Sequence, residues 1–192
     1  MTNQAIKILA FAGSTREDSF NKKLVKIAAM GAQEAGALVR MVDLRDYPMP
    51  FYDGDVEAES GLPDQAMQLK QLFVEHDGFL IASPEYNSGY SAILKNAIDW
   101  LSRPSEKGEA GLIAFAGKTA SLMAASPGGL GGLRGLFQLR ALLMNMNVMV
   151  LPNMRSVGQA MQAFDESGML KDDNLTQQIK FLGEQTVHAI RK

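Results

Sequence analysis

The sequence predicts an α/β domain of the doubly wound, three-layer kind. Short apolar runs alternate with longer amphipathic stretches, the order that βα units with a parallel sheet produce. The loops after the first, third and fourth runs gather Gly, Ser, Pro and Asn. A chain of 192 residues with no second compositional regime also matches one domain, at a prior of about 150 residues per domain.

Each element follows from its own pattern. Residues 6–11 form an apolar run that meets Gly13-Ser14-Thr15-Arg16, after which Leu24, Val25, Ile27 and Ala28 recur at helical spacing up to Gly36. A second strand fits residues 38–42. Residues 44–61 hold Pro48, Pro50, Gly54 and Gly61 and read as a long loop, a length usually tied to function or mobility. Residues 62–76 read as a helix with Met67, Leu69, Leu72 and Phe73 as its stripe. Residues 79–82 are a buried type of strand, 84–90 a loop, and 92–101 a helix with Ile93, Leu94, Ala97, Ile98 and Leu101 on one face. Residues 119–125 form the fourth strand, 126–132 a Gly-rich loop, 133–146 a helix and 148–151 the fifth strand. After an irregular piece, Asp172 or Asp173 caps a last helix to about Ile190, with Arg191-Lys192 at its end as the helix dipole prefers.

Composition removes several classes of chemistry. Nineteen basic against twenty-one acidic side chains leave a formal charge of −2, too balanced for the phosphate-neutralising surface of a nucleic-acid binder. The chain has no cysteine and two histidines, so thiol catalysis is impossible and most metal chemistry lacks its ligands. His76 precedes the third strand and His188 lies in the last helix, so both read as structural or surface groups. The twelve methionines read as packing residues. No window approaches the roughly 18 apolar residues of a membrane span. The N-terminus lacks an apolar leader, which makes the cytoplasm the expected location.

In a doubly wound sheet the ligand sits beyond the carboxyl ends of the strands. The loop from Gly13 to Asn21 leads into a helix N-terminus, a natural anion site. Ser14, Thr15, Ser19, Asn21 and the guanidinium fork of Arg16 supply the donor density a phosphate monoester needs. The G-x-G-x-x-G fingerprint is missing, since only Gly13 is present. Gly117-Lys118-Thr119 imitates the tail of a Walker A motif, but Gly111 is one residue too far upstream and the segment leads into a strand. The loop with Pro84, Glu85, Tyr86 and Asn87 offers an aromatic, an acid and an amide to a planar ring. The glycines from Gly128 to Gly132 let backbone approach a ligand closely. Together the loops suit one phosphate and one flat polar heterocycle, which describes a mononucleotide such as FMN.

At this point Gly13-Ser14-x-Arg16-x-x-Ser19-x-Asn21, Pro84-Glu85-Tyr86-Asn87, Leu94-Lys95-Asn96-Ala97-Ile98-Asp99-Trp100 and the Ser126 Gly-rich loop resemble, in order, the NAD(P)H-dependent FMN reductases. Their relatives are described as quinone, chromate or azo reductases, and the match runs over about residues 5–152. The resemblance implies a flavodoxin-like three-layer sandwich, its five-stranded parallel sheet in the order 2-1-3-4-5, as one FMN-binding domain over residues 1–192. It also implies FMN as cofactor and NADPH or NADH as donor. Ser14, Arg16, Ser19, Phe20 and Asn21 would hold the phosphate, Pro84, Glu85, Tyr86 and Asn87 would line the isoalloxazine, and Ser126, Gly128 and Gly129 would close over the ring system. It implies a homodimer or homotetramer, with Trp100 and Leu101 near the subunit contact, whereas Ile98 reads as core. After Pro152, Asn153 and Met154 stand where some quinone-reducing relatives carry an acid.

The expected reaction is ping-pong: hydride passes from the nicotinamide to the flavin N5, and free flavin, a quinone or a similar small acceptor then takes the electrons. No side chain is needed as acid, base or metal ligand, because the cofactor supplies the chemistry. Arg134 reads as solvent-exposed. The alternative is a non-enzymatic flavodoxin-type electron carrier, which a charge of −2 disfavours because such carriers are strongly acidic. A hydrolase on this fold would need a nucleophile that the sequence does not offer.

Overall fold

In the computed structural model, which describes residues 5–191, one all-parallel sheet organises the chain. Its central strands are β1 (Lys7–Ala12), β3 (Gly78–Ala82) and β4 (Thr119–Ala125), with β2 (Leu38–Asp43) at one edge and β5 (Met149–Val150) at the other. The path β2-β1-β3-β4-β5 is the order expected. Residues 1–4 of the N-terminal segment, and Lys192 of the C-terminal basic pair, lie outside the described residues.

The strands form where they do because both faces of the sheet are covered, so buried parallel strands read as continuous apolar runs. Alternation along the strands then divides the core. Leu9, Phe11, Phe79, Ile81 and Leu122 point to one layer, while Ile8, Ala10, Leu80, Ala82 and Met123 point to the other. The first layer holds α3 (Asp64–Glu75), α4 (Ala92–Leu101) and α5 (Leu133–Asn145), and the second holds α1 (Phe20–Glu34) and α7 (Asp173–Ile190).

Three departures from the expectations have physical causes. The segment after β2 contains a 3-10 turn at Leu44–Asp46, capped by Asp43, and a short helix, α2 (Gly54–Ser60), capped by Asp53. It is laid against α4: Asn96 donates to the Pro50 carbonyl at 2.8 Å and accepts the Tyr52 N–H at 2.8 Å, and Trp100 Nε1 donates to Pro50 at 2.9 Å. That cover corrects the subunit-contact expectation, since Trp100 and Leu101, like Ile98, are buried in this chain's own core. The last strand position is divided between β5, beside Thr119 and Ala120, and a further strand, β6 (Arg155–Val157), beside Met123 to Ala125. Pro152 lies between the two and has no N–H to offer a ladder. A short helix, α6 (Ala160–Ala163), follows β6 in the stretch that read as irregular. Among the described residues, no helix is long and apolar enough to cross a membrane.

α1 and α7 meet backbone to backbone. A Cβ on Gly31 would stand 2.0 Å from the Lys180 carbonyl oxygen, and one on Gly183 would stand 2.0 Å from that of Ala28. Neither helix can yield separately, because α1 is also packed on the sheet through Leu24, Val25 and Ala28.

Gly183→Ala therefore sets a gain in helix propensity of up to about 1 kcal/mol against overpacking of about 1–3 kcal/mol or more. The backbone clash wins, and urea unfolding should show a net loss of about 2 kcal/mol. A variant as stable as the wild type would contradict the contact. His76, the residue after α3, gives a pH prediction. Burial pushes its imidazole below the usual range, against the pull of its Leu72 hydrogen bond and Glu75. The folded state thus binds fewer protons than the unfolded chain, so stability is full above the unfolded pKa of about 6.5 and falls as pH drops toward the lower folded value. His76→Gln should flatten the decline in stability between pH 7 and 5 in parallel denaturation curves.

Candidate functional site

The loops after β1, β3 and β4 emerge together at the carboxyl edge of the sheet. In the first, Ser14 and Ser19 are buried, Phe20 is half-buried and Arg16 is exposed. Ser19 occupies the N-cap position of α1, but its hydroxyl makes no bond to the first turn. The first-turn amides of a helix have no partner within it, so those of Phe20, Asn21 and Lys22 lack the side-chain cap that this residue type normally supplies. An N-cap serine that leaves its helix uncapped, beside a second buried serine and an exposed arginine, is an arrangement open to an anion. Phe20 stacks on Phe164 at 5.7 Å, so part of its ring belongs to the packing.

The second loop is a tight hairpin. Tyr86 and Gly89 exchange two backbone bonds of 3.0 Å across Asn87 and Ser88, whose φ values are 52° and 65°. Two successive positive φ angles are the mark of a type I′ turn. Pro84 is buried at its root, whereas Tyr86 is 56% exposed and Asn87 is exposed at the tip. The carboxylate of Glu85 turns away from the tip and accepts the Gly135 N–H in the first turn of α5 at 2.8 Å. This capping from another loop compensates for Gly132, which has no side chain to cap α5.

The third loop presents Ser126, half-buried, and Gly128 and Gly129, both exposed. Its outer side is held by the residues after β4's last partner: Ser126 N–H donates to Val157 at 3.1 Å, Ala160 N–H to Ser126 at 3.1 Å and Gln159 N–H to Gly128 at 3.2 Å. Arg134, exposed, donates to the Ser88 hydroxyl at 3.2 Å and so ties the start of α5, which the third loop enters, to the second loop. The first loop is tied to the second by Ser91, whose hydroxyl donates to the Gly13 carbonyl at 2.6 Å while it caps α4. It is tied to the third by Asn21, which makes two bonds of 2.9 Å to Ala125.

Thus all twelve expected site residues lie on three mutually fastened loops or, for Phe20 and Asn21, on the first turn of the helix that the first loop enters, but they are not equally free. Ser14, Arg16, Ser19, Tyr86, Asn87, Gly128 and Gly129 face open space or carry unengaged donors. Asn21 and Glu85 already hold protein backbone. Sequence reasoning missed Ser91, Gln159 and Arg45. Arg45, beyond β2, donates through Nε at 2.9 Å and also through Nη2 to the Thr15 carbonyl, steadying the first loop from outside. It is anchored through Asp43, which accepts Arg45 N–H at 3.0 Å and Lys22 Nζ at 2.5 Å. Burial pushes the Asp43 carboxyl up, but these two donors outweigh it and hold the group below the usual range. A cavity lined by Ser19, Lys22, Lys26, Asp43 and Arg45 adjoins this side of the loop. An Asp two residues before an Arg at a strand end was the one signal available.

The family model for NADPH-dependent FMN reductase matches residues 6–162. An NAD(P)H-dependent FMN reductase of Pseudomonas aeruginosa is 34% identical over 176 residues, covering 91% of this chain and 90% of that protein. A quinone reductase of Escherichia coli is 33% identical over 192 residues, covering 95% and 96%. Among solved structures, the flavoenzyme NAD(P)H:(acceptor) oxidoreductase FerB of Paracoccus denitrificans superposes with a TM-score of 0.77 at 26% identity, covering 97% of this chain and 98% of that one.

The Glu85 contact generates a stability prediction that needs no ligand. Glu85→Ala leaves the Gly135 N–H unpaired and removes a charge from the positive end of α5, so urea unfolding should show a loss of about 2 kcal/mol. Glu85→Gln keeps an acceptor and should lose about half as much. Equal losses would mean that the charge, and not the bond, does the holding.

Proposed function

The chain belongs to the NADPH-dependent FMN reductase family, and from that premise we propose that its crevice holds FMN with the phosphate on the first loop and the ring between the second and third. The protein is an oxidoreductase that uses FMN with NAD(P)H as donor. The observation that carries the placement is the uncapped N-terminus of α1, where Ser19 stands in the capping position without capping. The Ser14 and Ser19 hydroxyls, the open first-turn amides and the Arg16 fork hold the phosphate. Pro84 stiffens the root of the hairpin that sets Tyr86 and Asn87 along one side of the ring. Ser126, Gly128 and Gly129 bring backbone to the other side, where an ordinary side chain would fill the space.

When bound, FMN would supply the two-electron redox chemistry between NAD(P)H and a small acceptor such as free flavin or a quinone. The chain's own part is positional. Its loops would hold the ring in one place for a nicotinamide to approach, and no side chain acts as acid or base. Self-association into a homodimer or homotetramer belongs to the same reading. Phe137 and Met144, both exposed on α5, are free for it.

An absorbance spectrum with FMN, followed by anaerobic addition of NADPH and NADH, tests the reaction. Flavin bands that bleach with either nucleotide, and turnover with ferricyanide, a quinone or free FMN, are expected. A bound flavin that neither nucleotide bleaches would point to an electron carrier. For the placement, Arg16→Ala should weaken FMN about tenfold or more, the worth of a charged hydrogen bond, and leave riboflavin, which lacks the phosphate, unchanged. Equal weakening of both would remove Arg16 from the phosphate.

A further inference from the structure

Asn21 is buried in the first turn of α1, yet its amide reaches 104 residues along the chain to one residue, Ala125. Nδ2 donates to the Ala125 carbonyl at 2.9 Å and Oδ1 accepts the Ala125 N–H at 2.9 Å. The register of β3 and β4 explains why those groups are open. Ala82 lies beside Met123, so continuing the pairing would set Pro84 beside Ala125. The last bond between the two chains at this end is Ser83 N–H to Met123 at 3.0 Å, and β3 ends at Ala82 with the chain turning into the hairpin loop. On the β6 side the bond to the Val157 carbonyl comes from Ser126 N–H, so both polar groups of Ala125 face the side that β3 has left. That side therefore needs one donor and one acceptor in the spacing of a peptide group, and a carboxamide has both.

We infer that Asn21 is a positioning residue that stands in for the missing strand and fixes the spacing between the first loop and the Gly-rich loop, rather than a ligand of the phosphate. The inference rests on the reading of the crevice as the FMN site. If Asn21 touched only phosphate, its loss would be felt by FMN alone. As a spacer between two loops that hold opposite ends of the flavin, it bears on the whole ligand, phosphate or not. Aspartate cannot replace it, because a carboxylate accepts from Ala125 N–H but has no proton for the Ala125 carbonyl.

The test is titration of Asn21→Ala and the milder Asn21→Ser with FMN and with riboflavin, followed by flavin fluorescence, beside Arg16→Ala as the phosphate-only reference. Both Asn21 variants should weaken FMN and riboflavin by the same factor, about tenfold or more for alanine, while Arg16→Ala shifts FMN alone. Weakening of FMN alone by the Asn21 variants, or of neither flavin, overturns the inference. Hydrogen exchange on the wild-type protein needs no variant to fold. The Ala125 amide should exchange as slowly as those of the central strands, and exchange as fast as the Gly128 amide overturns the bracket. A wild-type protein with a protected Ala125 amide that binds neither flavin would overturn the site reading and leave the bracket standing.

Discussion

Every strand of a parallel sheet ends on the same side, so one edge of the molecule collects backbone N–H and C=O groups that the ladder no longer pairs. Buried groups of this kind must find partners, and most of what gives the crevice its shape follows from how they do. Ser91 takes the Gly13 carbonyl and Asn21 takes both groups of Ala125, and at the helix that follows β4 Glu85 takes the first-turn amide of Gly135. Each of these side chains belongs to a different loop or helix from its partner. Satisfying the backbone and fastening the loops are the same act, and neither needs a ligand. The open donors of the first loop are those left over, which is why they can serve something that is not protein.

The same economy explains a division of labour among residues of similar type. Ser19 and Ser91 each precede a helix, but Ser91 caps α4 and Ser19 leaves α1 open. Asn21 and Asn96 each grip backbone from a helix, the first the last residue of β4 and the second the Pro50–Tyr52 stretch that covers α4. Pinning that stretch leaves Phe51 81% exposed on a backbone that is not free to withdraw it.

What was legible in the sequence divides along the same line. The central strands could be read because both of their faces are buried and their apolar runs are uninterrupted, and the three loops could be located because strand ends and ligand positions coincide in this class of fold. Which atom meets which could not be read. Asn21 and Ala125 become neighbours only through the register of β3 on β4, and Glu85 finds Gly135 only because Gly132 offers no cap of its own. The resemblance set Trp100 and Leu101 near a subunit contact, and nothing in the sequence showed that Trp100 is covered by a segment about 50 residues upstream. β6 contributes three residues, Arg155-Ser156-Val157, too few to show a period. The signal that the resemblance added was the joint order of the loop motifs, each of which is weak alone.

The crossing of α1 and α7 carries a consequence for the order of synthesis. α1 follows the first loop directly, and its glycine face is covered by a helix that begins at Asp173. Until that helix has left the ribosome, the face with Gly31 is bare and α1 has only its own packing on the sheet. A nascent chain stalled before residue 173 would thus carry every loop of the crevice, with the Ser91, Asn21 and Arg45 bonds that fasten the first of them, but without the helix that covers the Gly31 face of α1.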